Sequence, residues 1–201
     1  MLFDLDGTLT HPAVGITRCV AHALQELGHP PLPHEELLRF IGPPLHGTFA
    51  ALGLDPLAAV AAYRDRFAST GIFENDLVPG MVDVLEALSG TPLAIASSKP
   101  EVFVRRIADH FGIAHHFVEQ VGAELDGSRT DKAEVVGEAL RRLGLAGGAD
   151  VVLVGDRVHD VDGALAHGLT AIGVAWGYAG PGELVGVAVA ATPADLLALI
   201  V

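Results

Sequence analysis

The chain has 201 residues, half of them apolar, with 24 glycines and 12 prolines spread along it rather than in repeats; this describes one medium folded domain, or a core with a smaller insert, and excludes a disordered chain. A formal net charge of −13, from 25 acidic against 12 basic residues, argues against a general nucleic-acid surface, which needs clustered lysine and arginine to neutralise phosphates. No apolar stretch reaches the roughly 18 residues of a membrane span and no basic-then-apolar leader opens the chain, so the expectation is a cytoplasmic protein without nucleic-acid or membrane partners.

Met1-Leu2-Phe3 reads as a short strand that runs into Asp4-Leu5-Asp6-Gly7-Thr8-Leu9. Three residues are few against the usual five or six or so of a strand, which points to an N-terminus that starts downstream of the natural one. Residues i and i+2 of a strand project to one side, so Asp4 and Asp6 are expected to converge, with Gly7 permitting the sharp turn beyond them. Two crowded carboxylates suit a hard divalent cation such as Mg²⁺, and one of them can attack phosphorus as a covalent nucleophile. The plain alternative is a solvated Asp-x-Asp-Gly turn.

From residue 11 to about 78 the pattern is helical, without a convincing strand. Ile16, Cys19, Val20, Ala23, Leu24 and Leu27 recur at i, i+3, i+4 spacing, Gly28 stops that helix, and Cys19, the single cysteine, reads as a small core hydrophobe rather than a redox group. A helical turn over Glu35 to Phe40, a break at Ile41-Gly42-Pro43-Pro44, and helices at 45–53 and 57–69 complete the block. From Val78-Pro79-Gly80 the pattern alternates: helix 81–89, strand 93–97, helix 100–111, strand 117–121, helix 131–143, strand 150–154, helix 160–167 and strand 170–174. Alternation of this kind predicts an α/β fold with a parallel, Rossmann-like sheet. The expected organisation is a core of residues 1–10 and 79–201, with 11–78 inserted after the first strand as an all-helical cap over the sheet's carboxyl edge. Dinucleotide binding is excluded, because no G-x-G-x-x-G follows the first strand.

Open α/β sheets bind ligands beyond the carboxyl ends of their strands, which directs attention to three places. Strand 93–96 runs into Ser97-Ser98-Lys99-Pro100, where the Ser97 hydroxyl and neighbouring amides are placed to meet a phosphate at a helix N-terminus; an ordinary N-cap serine is the alternative. Val151 to Val154 runs into Gly155-Asp156-Arg157-Val158-His159-Asp160, so Asp156 is a candidate ligand for the same cation. Asp160, one helical turn on, is placed to bind metal-bound water or to orient a lysine, or simply to complement the helix dipole. Lys132 opens helix 131–143, where a cation is unfavourable by the same dipole, which weakens a purely structural account of it.

Together, DLDGTL, a strand-ending serine, a downstream lysine and GDxxxD resemble the haloacid dehalogenase superfamily of phosphatases. Ile41-Gly42-Pro43-Pro44-Leu45, Gly71-Ile72-Phe73-Glu74-Asn75, Ser97-Ser98-Lys99-Pro100, Gly127-Ser128-Arg129 and Trp176-Gly177-Tyr178 are similar to its phosphoglycolate phosphatase and 5′-nucleotidase-like branch. The resemblance implies that Asp4 is the nucleophile forming an aspartyl-phosphate. It gives Asp6 the task of protonating the leaving alcohol and later activating water, has Ser97 bind the phosphoryl group, and has Lys132 neutralise the charge. It assigns Mg²⁺ to Asp4, Asp156 and Asp6, the last through its carbonyl, with Asp160 behind them.

The expected substrate contacts are Gly42, Pro43, Ser97 and Ser98, with His46 and Arg39 as further cap candidates for a second anionic group. The histidines His115, His116 and His159 have no zinc-site spacing, Trp176 reads as packing at a rim, and Arg129 either binds an anion or anchors its loop. The expected activity is hydrolysis of a small phosphorylated metabolite, phosphoglycolate first, by a monomer or homodimer. The alternatives are a 5′-nucleotidase or pyrophosphatase of the same fold, then a phosphomutase or a non-catalytic binding protein; a phosphorelay receiver would lack the large insertion.

Overall fold

Leu2 and Phe3 are both fully buried, as in a strand covered on its two faces, and the computed structural model, which describes residues 1–200, sets them in the middle of a parallel sheet. The strands are β1 (Leu2–Phe3), β2 (Thr10–His11), β3 (Asp76–Leu77), β4 (Ala94–Pro100), β5 (Glu119–Ala123), β6 (Val152–Gly155), β7 (Thr170–Val174) and β8 (Ala188–Ala190). The helices are α1 (Ala13–Glu26), α2 (His34–Leu37), α3 (Leu45–Ala51), α4 (Pro56–Ser69), α5 (Met81–Ala87), α6 (Glu101–His110), α7 (Lys132–Leu143), α8 (Val158–Ala166) and α9 (Pro193–Ile200). Among the described residues the main sheet runs β5-β4-β1-β6-β7-β8 with every neighbouring pair parallel. The chain therefore builds outward from β1 in one direction through β4 and β5, then returns to the other side of β1 for β6. That reversal makes the carboxyl ends of β1 and its neighbours the natural crevice of a doubly wound sheet.

Register fixes what reaches this crevice. Leu2 lies opposite Ala94 and Leu153, and Phe3 opposite Ile95 and Val154; the Asp4 amide continues the ladder to the Val154 carbonyl at 2.8 Å. One or two residues on along the flanking strands come Ser97 and Asp156. Helix α7 covers this region of the sheet with a stripe of Val135, Val136, Ala139 and Leu140, all buried in one cluster with Leu2, Ala96, Val121 and Leu153. Each of the valine and leucine side chains contributes about 1.5–3 kcal/mol when fully buried, and Lys132 lies on the same stripe, one turn before Val135 and Val136.

The chain divides into two compact units, Met1–Thr10 with Leu77 onward, and His11–Asp76. Within the second, Ile16, Cys19, Val20, Ala23 and Leu24 of the predicted stripe are buried on α1, while Leu27 is half-buried at its C-cap. The Cys19 thiol accepts a hydrogen bond from Arg66 Nη1 at 3.1 Å, and Arg66 and Arg18 both pair with Glu74, at 2.8 and 2.7 Å. Gly28, with φ of 68°, follows α1 as the predicted stop.

Several boundaries differ from the sequence reading. The segment read as free of strands has the two-residue β2 and β3 at its ends, which form a small sheet of their own and are too short to leave a period in the sequence. The strand expected at 117–121 begins at Glu119 because a 3-10 turn at Ala114–His116 consumes the residues before it. Helix α8 starts at Val158 rather than 160. Beyond residue 174, β8 and α9 were not foreseen; β8 is three residues long and follows a glycine-rich loop. No helix among the described residues is long and apolar enough to cross a membrane.

Candidate active site

The first correction concerns how Asp4 and Asp6 are held. Strand β1 ends at Phe3, so the two carboxylates do not share a strand face; a tight turn carries Asp6 instead. The Leu5 carbonyl accepts the amides of Leu9 and Thr10, each at 2.9 Å, and the Gly7 amide reaches the Thr10 carbonyl at 2.7 Å. Gly7 has φ of +89°, and a Cβ there would stand 2.1 Å from Asp156 Oδ2. Glycine at this position is thus required by both backbone conformation and the approach of the second acidic residue.

Lys132 is the cation of the site. Its Nζ lies 2.6 Å from Asp4 Oδ1 and 2.6 Å from Asp160 Oδ1, and all three side chains are buried. An isolated ammonium on the buried stripe of α7 would be strongly unfavourable; two carboxylates on it reverse that. Burial pulls the Lys132 ammonium down, but Asp160 and Asp4 outweigh it and hold it above its ordinary value. The Asp131 side chain caps α7 by accepting the Ala133 amide at 2.8 Å, which fixes where the first turn begins. Asp4 itself is pushed up to about 6, chiefly by burial and against the pull of Lys132. Asp160 has both readings at once, since Oδ1 pairs with Lys132 while Oδ2 accepts the Arg157 amide at 3.0 Å at the start of α8.

Asp156 is 1 % exposed. Its Oδ2 accepts the Tyr178 amide at 2.6 Å, while Oδ1 is buried with no hydrogen-bond partner in the protein. Burial first, then the nearby Asp4 and Asp160 charges, push its carboxyl up to about 8. Oxygens of Asp4, Asp156 and Asp160 lie within 4.8 Å of one another. A buried unpartnered carboxylate oxygen, beside two further carboxylates, fits a hard divalent cation held by oxygen donors. Because both oxygens of Asp160 are already engaged, Asp4 and Asp156 are its better-placed holders.

The loop after β7 supplies what sequence reasoning missed. Trp176 Nε1 donates to the Thr8 carbonyl at 3.1 Å, so this indole ties the loop to the turn after β1 instead of simply packing at a rim. The Tyr178 amide holds Asp156, and a Cβ on Gly177 would stand 2.2 Å from the Asp156 Cβ. A backbone amide carries no side-chain signature, so only the Trp-Gly-Tyr pattern pointed here.

Ser97 is buried, but it is not a helix cap: β4 continues to Pro100, which is itself the N-cap of α6, three residues beyond Ser97. The Ser97 hydroxyl accepts the Lys99 amide at 3.4 Å; Ser98 is half-buried beside it. Lys99, quoted in the motif but given no role, forms a short ion pair with Asp6 Oδ2, leaving Asp6 Oδ1 buried without a hydrogen-bond partner. Gly42 and Pro43 lie in the helical unit, between a 3-10 turn at Leu38–Phe40 and α3, with Gly42 exposed at φ of 102°. Arg39 and His46 are exposed in the same unit. Arg129 anchors its loop: its Nε donates to the Gly122 carbonyl at 2.9 Å, and its guanidinium pairs with Glu101 and Glu124.

The profile described as haloacid dehalogenase-like hydrolase matches residues 1–174. A protein of Pseudomonas aeruginosa named 5′-nucleotidase is 45 % identical over 92 % of this chain and 86 % of its own length. A Mycobacterium tuberculosis protein named tyrosine-protein kinase PtkA is 44 % identical over 89 % of this chain, which spans 62 % of that protein. Phosphoglycolate phosphatase 1 of Pseudomonas aeruginosa is 28 % identical over 89 % of this chain and 70 % of its own length. Among solved structures, a predicted phosphatase from Clostridium acetobutylicum superposes with a TM-score of 0.92 at 36 % identity, covering 99 % of this chain and 96 % of that one.

Proposed function

The chain belongs to the haloacid dehalogenase-like hydrolase family and is a phosphatase, and from that premise we propose that it hydrolyses a small phosphomonoester through an aspartyl-phosphate on Asp4, with Mg²⁺ as cofactor and a nucleoside 5′-monophosphate ahead of phosphoglycolate as substrate. The observation that carries the reading is the bridging of Asp4 and Asp160 by the buried Lys132 beside the unpartnered Asp156 Oδ1. Without the proton that Asp6 delivers, Asp4, Asp6, Asp156 and Asp160 against Lys99 and Lys132 leave two negative charges, which one divalent cation balances.

In the first half-reaction an Asp4 carboxylate oxygen attacks phosphorus, the bond from phosphorus to the alcohol oxygen breaks, and Asp6 gives that oxygen its proton. In the second, water attacks the phosphorus of the aspartyl-phosphate, Asp6 takes the water's proton, and inorganic phosphate leaves with Asp4 restored. Lys132 keeps Asp4 oriented and neutralises charge as the phosphoryl group transfers, where positioning and electrostatics supply most of the acceleration. Ser97, with the amide of Ser98, binds phosphoryl oxygens. Mg²⁺, held by Asp4, Asp156 and the Asp6 carbonyl, would supply charge neutralisation on the phosphoryl oxygens. Asp160 acts through Lys132. We propose the inserted helical unit, which carries Gly42 and Pro43, as the part that selects the leaving group.

The ordering of substrates rests on the greater likeness to the protein named 5′-nucleotidase than to the one named phosphoglycolate phosphatase 1. A second reading, transfer of the phosphoryl group to an acceptor other than water, is favoured by the likeness to the protein named tyrosine-protein kinase. Both are tested by Mg²⁺-dependent release of phosphate from nucleoside monophosphates, phosphoglycolate, sugar phosphates and pyrophosphate, with Asp4→Asn as control. Turnover by the wild type and none by Asp4→Asn is expected; equal turnover by the two would refute Asp4 as nucleophile, and phosphate found on tyrosine in place of free phosphate would favour the second reading.

A further inference from the structure

We propose that Lys99 is the positioning residue for Asp6, its ammonium donating to Oδ2 so that the proton destined for the leaving alcohol is carried on Oδ1. The inference rests on the reading of Asp6 as the group that protonates that alcohol. Three observations carry it. Lys99 Nζ forms a short ion pair with Asp6 Oδ2, in surroundings where the Lys99 side chain is 7 % and the Asp6 side chain 14 % exposed. Asp6 Oδ1 is buried and has no hydrogen-bond partner in the protein. Lys99 follows Ser97 by two residues on β4 and its amide donates to the Ser97 hydroxyl, so one strand end supplies both the phosphoryl-binding hydroxyl and the ammonium on Asp6.

The physical need is specific to this turn. Asp6 lies past the end of β1, in the turn whose backbone bridges to Thr10, and its carboxylate still rotates about two side-chain bonds. A proton donor must sit within hydrogen-bond reach of the atom it serves, and a misplacement of about 1 Å costs on the order of a hundredfold. A buried ammonium on Oδ2 removes that freedom and distinguishes the two oxygens. Lys132 serves Asp4 and Asp160, so the two lysines divide the work, one on the nucleophile and one on the proton donor.

The test compares two kinds of ester, because a leaving group that is stable as an anion needs no proton. Wild type, Lys99→Met, Lys99→Arg and Asp6→Asn are assayed with Mg²⁺ on p-nitrophenyl phosphate and on a nucleoside 5′-monophosphate, and the rate compared is that of alcohol release in the first turnover, which precedes the water activation that Asp6 also serves. Lys99→Met is expected to lower this first-turnover rate on the alkyl ester by about a hundredfold and on the aryl ester by much less, with the larger part of the effect in the rate at saturating substrate rather than in the substrate concentration needed to reach it. Asp6→Asn should show the same dependence on leaving group, and Lys99→Arg should recover part of the alkyl-ester rate. Aryl-ester turnover also reports that each variant is folded. Equal losses on both esters in Lys99→Met, beside an ester-dependent loss in Asp6→Asn, would overturn the proposal while sparing the role of Asp6. Equal losses in Asp6→Asn would overturn both, and a wild type that releases phosphate from neither ester would refute the hydrolytic reading and this inference with it.

Discussion

Replacing Lys132 by methionine should destabilise the protein in a way that depends on pH. The lysine ammonium is 2.6 Å from both Asp4 Oδ1 and Asp160 Oδ1, and its side chain is 4 % exposed. Removing it leaves two buried carboxylates facing each other without their cation, a change that costs about 3–5 kcal/mol. At about 2–4 °C per kcal/mol for a chain of this size, the melting temperature should fall by about 6–20 °C. Protonation limits the loss. Burial already pushes Asp4 up to about 6 against the pull of Lys132, so without the lysine it rises further. A carboxyl whose folded pKa exceeds its unfolded one loses stability as pH rises between the two, by about 1.4 kcal/mol per unit. The deficit relative to wild type should therefore be largest near pH 8 and smaller near pH 5. Thermal melts by circular dichroism in a chelator, at both pH values, read this directly. Adding Asp160→Asn to Lys132→Met removes one of the stranded charges and should recover part of the loss. Melting within about 2 °C of wild type at both pH values would refute the claim that Lys132 neutralises these carboxylates.

The metal-free wild type should lose stability as pH rises from about 5 to 8. Asp156, raised from 3.8 to about 8, and Asp4, raised to about 6, bind protons in the folded state that the unfolded chain has released. The arginine-paired Glu138 and Glu183, lowered to about 2, have the opposite sign, but their contribution is complete above their ordinary 4.5. Saturating Mg²⁺ should flatten the slope; a melting temperature that rises with pH in its absence would contradict the assignment. Gly177→Ala, whose Cβ would stand 2.2 Å from the Asp156 Cβ, should cost about 1–3 kcal/mol by overpacking. It should also raise the Mg²⁺ needed for half-maximal activity by roughly tenfold, and an unchanged Mg²⁺ requirement would show that this contact does not set Asp156.

Much of this protein was determined locally. Alternating strand and helix signals after residue 79 required a parallel sheet, because a strand followed by a helix can rejoin the sheet only by a crossover. Glycine after Asp6, aspartate after β6 and lysine on an otherwise apolar stripe of α7 were each anomalous for their position, and such anomalies are visible without coordinates. What needed tertiary structure were the pairings between segments distant in sequence. Lys132 meets Asp4 and Asp160, Lys99 takes Asp6 Oδ2, and the Tyr178 amide holds Asp156, because strand order sets β4 and β6 on either side of β1. Sequence periodicity says which face a residue occupies but not which neighbour that face meets. For the same reason the sequence sets Ser97 close to a helix N-terminus, when the strand pairing that carries β4 on to Pro100 depends on β5, more than twenty residues later in the chain.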